Sequence, residues 1–368
     1  MRVLMTCGGT AGHVNPAIAI ANTIKEREEN VDIAFVCSTE ESDIAPVLVP
    51  RAGYEKIYRV NICGMHKIWN PKNLKTLYLL AKSSGEAKKI IDDFKPDIII
   101  GTGGFACYPL LNAGAKMGIP TVVHESNAFA GKAVIRLAPK VDVVMTSFDE
   151  VASQLSSRAN VVKVGNPTIK SVKTETVNTD TNEGYSKCLL SFGGSRGAMM
   201  LNYGVVDMLA ELADKHTDTL FYHASGSMYI DEITEIFRAR GLDKKPNVRL
   251  CEYIYDMDAR MKNATVVLSR SGAMTISELA LDGKPAILVP SPNVANNHQY
   301  MNAKALFDKD AVIMVEEKDF KSGELISAAD KLLSDSELRQ RLSQNIRKCA
   351  IEDANSAIYD YIKKLLNK

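Results

Sequence analysis

Two stretches of this chain carry glycines at the spacing that lets a backbone wrap an anion. Gly8-Gly9-Thr10-Ala11-Gly12 follows the apolar run RVLMT, and Gly193-Gly194-Ser195-Arg196-Gly197 follows KCLLSF. Each leads into an amphipathic segment, so each reads as a strand, a tight turn and a helix whose first N–H groups face the turn. His13 comes directly after the first turn. An imidazole there could take a proton from a bound hydroxyl, and the helix N-terminus would hold its pKa down. The same position equally suits a His that only hydrogen-bonds the turn. His124, Glu125 and Asn127 (VVHESN) end another apolar run, where amides and carboxylates either hold sugar hydroxyls or close a structural loop.

In the second half, Ser269–Glu278 (SRSGAMTISE) again ends a strand and starts a helix. Glu278 could accept two vicinal ribose hydroxyls, or be a solvated helix residue. Asn296, Asn297, His298 and Gln299 form an amide-rich cluster suited to hydroxyl or uracil recognition. No Asp-x-Asp or His cluster offers metal ligands at workable spacing, so a leaving diphosphate would have to be met by helix N-termini, Ser195, and Arg196 or Arg270. A dinucleotide site fits poorly. Cys7–Gly12 is G-G-x-x-G, and Asp32 opens the second strand where the dinucleotide fingerprint wants an acid at the strand's end.

These groups need a scaffold, and the chain supplies it twice. DIIIGTGG (97–104) resembles TVVLSRSG (265–272), and PTVV (120–123) resembles PAIL (285–288). Continuous Val/Ile/Leu runs alternating with helical stretches mean parallel sheets covered on both faces. The expectation is a duplicated α/β architecture with a cleft between two rows of strand ends. The first domain should run over 1–165, its last strand near VVKVGNP, and the second over 166–350 after a polar, Thr-rich connection. Residues 351–368 form an amphipathic helix with Ile351, Ala354, Ile358, Tyr361 and Leu365 on one stripe. Periodicity does not say which domain it packs on.

Composition narrows the function classes. A net charge of +1 gives no general affinity for nucleic acid. The seven cysteines are scattered without a C-x-x-C pair, which points to a reducing compartment and away from a structural metal. Met1 leads straight into the first strand with no charged leader, and no apolar run reaches the ~18 residues of a spanning helix. The expected location is the cytosol or a membrane surface. Residues 56–85 hold six basic residues and no acid, together with the single tryptophan, Trp69. Lys67, Lys72, Lys75 and Lys82 flank Leu74, Leu77, Tyr78, Leu79 and Leu80. This is either a docking surface for anionic lipid or a helix with its lysines in water.

GGTAGHVNPAIAIA, GTGGFACYP, IPTVVHESN, VVKVGNP, FGGSRGA, ASGS, EYIYDM, SRSGAMTISELA and NHQYMNA occur in an order and spacing that resembles the MurG family of peptidoglycan glycosyltransferases. The likeness runs from Arg2 to about residue 310. The combination of motifs is specific, although no single one is. It implies a GT-B enzyme with two Rossmann-like parallel-sheet domains facing a deep cleft, no cofactor and no obligatory metal. The donor would be UDP-N-acetylglucosamine, and the acceptor undecaprenyl-diphospho-muramoyl-pentapeptide at the cytoplasmic face of the bacterial plasma membrane, with the stretch 67–82 docking on anionic lipid. By motif match, Ser195 would touch the diphosphate. Ile254 and Ala273, Met274, Thr275, Ile276, Ser277 and Glu278 would cradle uridine, Glu278 at the ribose, and Gln299 would hold the sugar hydroxyls. Thr10, Ala11, Gly12 and Asn127 would close over the donor, with His13 facing the acceptor as the base. Two departures stand out. Many family members have Gln where this chain has Ser126, and an Arg that often follows GNP is replaced by Thr168, Ile169 and Lys170. The rivals are another GT-B enzyme using a UDP-sugar (a glycolipid transferase or a 2-epimerase) and a non-catalytic UDP-sugar sensor.

Overall fold

The computed structural model describes residues 1–62, 72–168, 181–194 and 196–367, with 72–81 and Ala295 described by backbone alone. The chain divides into two compact units, one of Met1–Val172 with Ile351–Lys368, the other of Lys173–Ala350. The division falls after Val172, a few residues beyond the boundary after residue 165 expected from the sequence.

The first unit is built on seven parallel strands: β1 (Arg2–Thr6), β2 (Asp32–Ser38), β3 (Ile57–Val60), β4 (Ile98–Gly101), β5 (Thr121–Glu125), β6 (Val143–Thr146) and β7 (Val161–Lys163), in the order β3-β2-β1-β4-β5-β6-β7. Met5 of β1 pairs with Phe35 on one side and Ile100 on the other. Val3, Leu4 and Met5 are all fully buried, because helices cover both faces. Val3, Met5 and Ile100 pack with Val14, Ile18 and Ile24 of the helix Ala11–Arg27, while Leu4 and Ile99 pack with Ile91, Phe94 and Leu110.

The helix Ala354–Leu366 packs on this unit. Ile358 and Ile362 join the core around Ile24, and Glu28 accepts hydrogen bonds from Tyr359 Oη at 2.5 Å and Lys363 Nζ at 2.8 Å. Asn355 brackets Thr168, accepting from its N–H at 3.0 Å and donating to its carbonyl at 2.8 Å. Ile362, fully buried, was not on the stripe read from periodicity.

The second unit repeats the plan with β8 (Lys187–Phe192), β9 (Thr219–Ala224), β10 (Val248–Cys251), β11 (Val266–Ser269), β12 (Ala286–Leu288) and β13 (Ile313–Met314), all parallel, in the order β10-β9-β8-β11-β12-β13. Counted within each unit, both sheets begin 3-2-1-4-5-6. In such sheets ligands bind beyond the carboxyl ends of the strands, where the order reverses. Those switch points lie between β1 and β4 and between β8 and β11, where the glycine turns sit.

Candidate active site

In the first unit, β1 ends at Thr6 and the chain turns through Cys7, Gly8 and Gly9, the last at φ 86°. Thr10 then caps the helix Ala11–Arg27 with extended backbone but no side-chain hydrogen bond, and its first turn has no acid. Thr10, Ala11 and Gly12 are exposed, and His13 is half-buried. The His13 Nδ1 lies 3.1 Å from the Gly8 carbonyl. The Thr10 hydroxyl lies farther from the same nitrogen, at 3.5 Å. A carbonyl oxygen only accepts, so the tautomer that uses the nearer Gly8 contact carries its proton on Nδ1 and its lone pair on Nε2.

The turn after β4 braces this imidazole. Thr102 Oγ1 donates to the His13 carbonyl at 2.7 Å. A Cβ on Gly103 (φ 96°) would stand 2.7 Å from His13 Cδ2, so only glycine lets the backbone lie against the ring.

The HESN segment divides between structure and surface. His124 is fully buried, donates from Nε2 to the Gly165 carbonyl at 2.9 Å, and is pushed down to about 4 by burial, which keeps it neutral. Glu125 is buried and accepts from Asn127 N, Asn127 Nδ2 and Gly131 N at 3.0, 3.1 and 2.8 Å. Burial raises its carboxyl above the usual range despite these bonds. Both therefore hold a loop. Asn127, half-buried, is the member placed nearer solvent. Asn166 ties this loop down, donating to the Ser126 carbonyl at 3.2 Å and accepting from Ser147 Oγ at 2.6 Å.

In the second unit, Gly194 (φ 96°) and Gly197 (φ 84°) shape the turn after β8, and Ser195 lies outside the described residues. A Cβ on Gly226, in the loop after β9, would lie 2.0 Å from Gly197 N, so two backbones touch here. Asn202, fully buried, donates to the Ser225 carbonyl at 2.9 Å and holds that loop in place. The helix Met199–Leu212 begins after Ala198 with no side-chain cap and no acid in its first turn. The helix Ala273–Asp282 begins in the same way after Gly272. Helix starts of this kind favour anions.

Around that second helix, Ser271 Oγ donates to the Gln299 carbonyl at 2.8 Å, and Gln299 Oε1 accepts from Ser291 N at 2.9 Å. The Gln299 amide is thereby oriented, with Nε2 as its donor end. Asn296 and Asn297 both take left-handed backbone just before the helix His298–Phe307. Met274, Thr275 and Ser277 are half-buried, while Ala273, Ile276 and Ile254 are buried. Glu278 is solvent-exposed by surface area, yet protein atoms crowd its carboxyl; that crowding, then Asp258 and Asp282, push it up to about 7. Arg270 is not available for a diphosphate. Its guanidinium pairs with Glu317 and donates to the Val289 carbonyl at 3.2 Å.

Asp43 and Asn202 fall in no motif of the sequence, and Asn166 reads there only as part of VVKVGNP at the end of the first domain's last strand. Asp43 accepts four hydrogen bonds behind the first turn. Its one signal was an Asp just ahead of the Pro-containing segment 45–51. The basic stretch offers less: Lys67 and Trp69 lie outside the described residues, and the helix Lys72–Phe94 is given by backbone over 72–81. Among the described residues, no helix is long and apolar enough to cross a membrane.

Two parallel sheets of this order, each with a glycine turn leading into a helix at its switch point, are the architecture of GT-B glycosyltransferases. Residues 3–146 match the glycosyltransferase family 28 N-terminal domain, and 188–361 its C-terminal domain. The chain is 37% identical over 377 residues to the UDP-N-acetylglucosamine--N-acetylmuramyl-(pentapeptide) pyrophosphoryl-undecaprenol N-acetylglucosamine transferase of Acetivibrio thermocellus, covering 100% of this chain and 98% of that one. It is 34% identical over 367 residues to the enzyme of the same name from Lactococcus lactis subsp. cremoris, covering 100% of both. The crystal structure of Acinetobacter baumannii MurG superposes with a TM-score of 0.78 at 24% identity, over 99% of each chain. The chain belongs to the MurG family, within glycosyltransferase family 28.

Proposed function

We propose that this chain transfers N-acetylglucosamine from UDP-N-acetylglucosamine to the 4-hydroxyl of undecaprenyl-diphospho-muramoyl-pentapeptide, with inversion, in peptidoglycan synthesis. The observation that carries this is the end-to-end match, at 34–37% identity, to enzymes named for that transfer. The muramoyl 4-oxygen attacks the anomeric carbon as the bond to the diphosphate oxygen breaks. UDP leaves with the electron pair, and the hydroxyl proton passes to His13 Nε2. The Nδ1–Gly8 bond supports this role, because it leaves Nε2 as the basic nitrogen. Proton transfer of this kind is worth about 10²–10⁴-fold, and the rest of the barrier falls to alignment and to stabilising departing UDP.

The second unit, by this account, binds the donor. Ser195 and the helix starts after Ala198 and Gly272 meet the diphosphate. The Ile254 side chain is buried, so its backbone is what it offers uracil. Ala273–Ser277 line the nucleoside, Glu278 takes the ribose hydroxyls, and Gln299 Nε2 donates to the sugar. Thr10, Ala11, Gly12 and Asn127 complete the donor contacts from the first unit, which also carries the acceptor side and docks on anionic lipid at the cytoplasmic face through 67–82.

The test is UDP release from UDP-N-acetylglucosamine with and without a lipid-linked muramoyl acceptor. Acceptor-dependent release supports the transfer. An epimer appearing from donor alone would mark a 2-epimerase, and tight donor binding without turnover would mark a sensor. For the base, His13→Ala should lower kcat about 100-fold or more while donor affinity stays within twofold; unchanged turnover removes His13 from the mechanism.

A further inference from the structure

Behind the first glycine turn lies a carboxylate that the transfer chemistry does not use. Asp43 is 5% exposed. Its Oδ1 accepts from Gly9 N and Ala45 N, each at 3.0 Å, and its Oδ2 from Ser38 N at 2.9 Å and Ser38 Oγ at 3.0 Å. The Gly9 N–H that Asp43 holds shares a peptide unit with the Gly8 carbonyl to which His13 Nδ1 donates. No described peptide bond is cis, so this N–H and C=O point in opposite directions, one at the carboxylate and one at the imidazole.

We propose that the Gly8–Gly9 peptide couples the Asp43 carboxylate to the His13 imidazole, making Asp43 a positioning residue for the base. The inference rests on the base role given to His13 above. The carboxylate polarises the amide, which makes the Gly8 oxygen a stronger acceptor for Nδ1–H. That secures the tautomer with its lone pair on Nε2 and favours the imidazolium that forms when the acceptor proton arrives. Asp43 itself takes no proton.

The surrounding glycines leave room for this arrangement. A Cβ on Gly8 would stand 2.7 Å from Asp43 Oδ2, so a side chain there would displace the carboxylate. A Cβ on Gly104 would lie 2.6 Å from the Gly8 oxygen, crowding the atom His13 must reach. The next peptide is pinned as well, since Ile44 N donates to the Gly9 carbonyl at 3.3 Å. The peptide plane between carboxylate and imidazole is therefore held on both sides.

The experiment combines ¹⁵N-histidine NMR of the full chain with acceptor-saturated turnover for wild type, Asp43→Asn, His13→Ala and the double variant. An Asn at 43 replaces one acceptor oxygen with a donor and cannot make the same four bonds. The expected result is loss of the Nδ1–H signature of His13 and a fall in kcat of about tenfold. The acidic limb of the pH profile should move to lower pH, with UDP-N-acetylglucosamine affinity unchanged. In the His13→Ala background, Asp43→Asn should cost nothing further. An unaltered tautomer, or the same loss in both backgrounds, overturns the proposal. Should Asp43→Asn fail to fold, Gly8→Ala keeps the carboxylate but displaces it: the same tautomer change supports the coupling, and wild-type tautomer and turnover refute it. If His13→Ala alone retains wild-type turnover while the tautomer still answers to Asp43, the base role fails and the coupling stands.

Discussion

Lowering the pH from 8 to 6 should weaken the grip on UDP-N-acetylglucosamine, and Glu278 determines by how much. Its carboxyl is pushed up to about 7 by the protein atoms around it and by Asp258 and Asp282. If the carboxylate accepts both ribose hydroxyls, only the ionised form binds well. The apparent Kd then scales as 1 + 10^(pKa − pH), about 1.1 at pH 8 and about 11 at pH 6, a tenfold loss. The sign follows from the raised pKa: binding is strong above it and is lost as pH falls through it. Because Glu278 is exposed, solvent screens part of the repulsion, so about tenfold is the ceiling. Titration calorimetry with the intact donor avoids the second phosphate ionisation of free UDP. Glu278→Gln should bind weakly at every pH and abolish the slope. A flat wild-type profile, or a slope that survives in Glu278→Gln, would refute the ribose role.

Gly226→Ala should press a methyl into Gly197 N and distort the second turn, costing about 1–3 kcal/mol of second-unit stability together with donor affinity, read by melting and calorimetry. Ile358→Ala, at a site 1% exposed, should destabilise the first unit by about 2–5 kcal/mol in urea unfolding followed by hydrogen exchange, leaving the second unit unchanged. Glu317→Gln strips Arg270 of its counter-charge where the two side chains are 13% and 12% exposed, and should cost about 3 kcal/mol by the same measurement on the second unit. Lys67→Glu with Trp69→Ala should reduce sedimentation with phosphatidylglycerol vesicles by about tenfold without altering donor affinity, because a juxtamembrane lysine is worth about 1 kcal/mol near an anionic surface.

The strands and glycine turns were legible because their physics is local. A run such as VVLS or LLSF buried on both faces has few alternatives to a parallel strand, and a backbone at φ 86° or 96° selects glycine by itself. Roles set by distant partners were not legible. Arg270 looks like an anion ligand in sequence, but Glu317, far along the chain, takes its charge. His124 and Glu125 sit in the motif expected to face a ligand, yet Gly165 and Gly131 engage them. Asp43 belongs to no pattern, since its meaning depends on Ser38, Ala45 and Gly9 converging from two turns. Likewise, the stripe of the last helix announced a buried face without saying that Ile24 and Glu28 would receive it.

The most direct test is to follow labelled N-acetylglucosamine from UDP-N-acetylglucosamine onto a lipid-linked muramoyl-pentapeptide and assign the new bond by NMR. One added sugar is expected, β-linked to the muramoyl 4-oxygen, formed only when acceptor is present and nearly absent with His13→Ala. An α-linkage, or label that stays on the nucleotide or changes only at its 2-position, would contradict it.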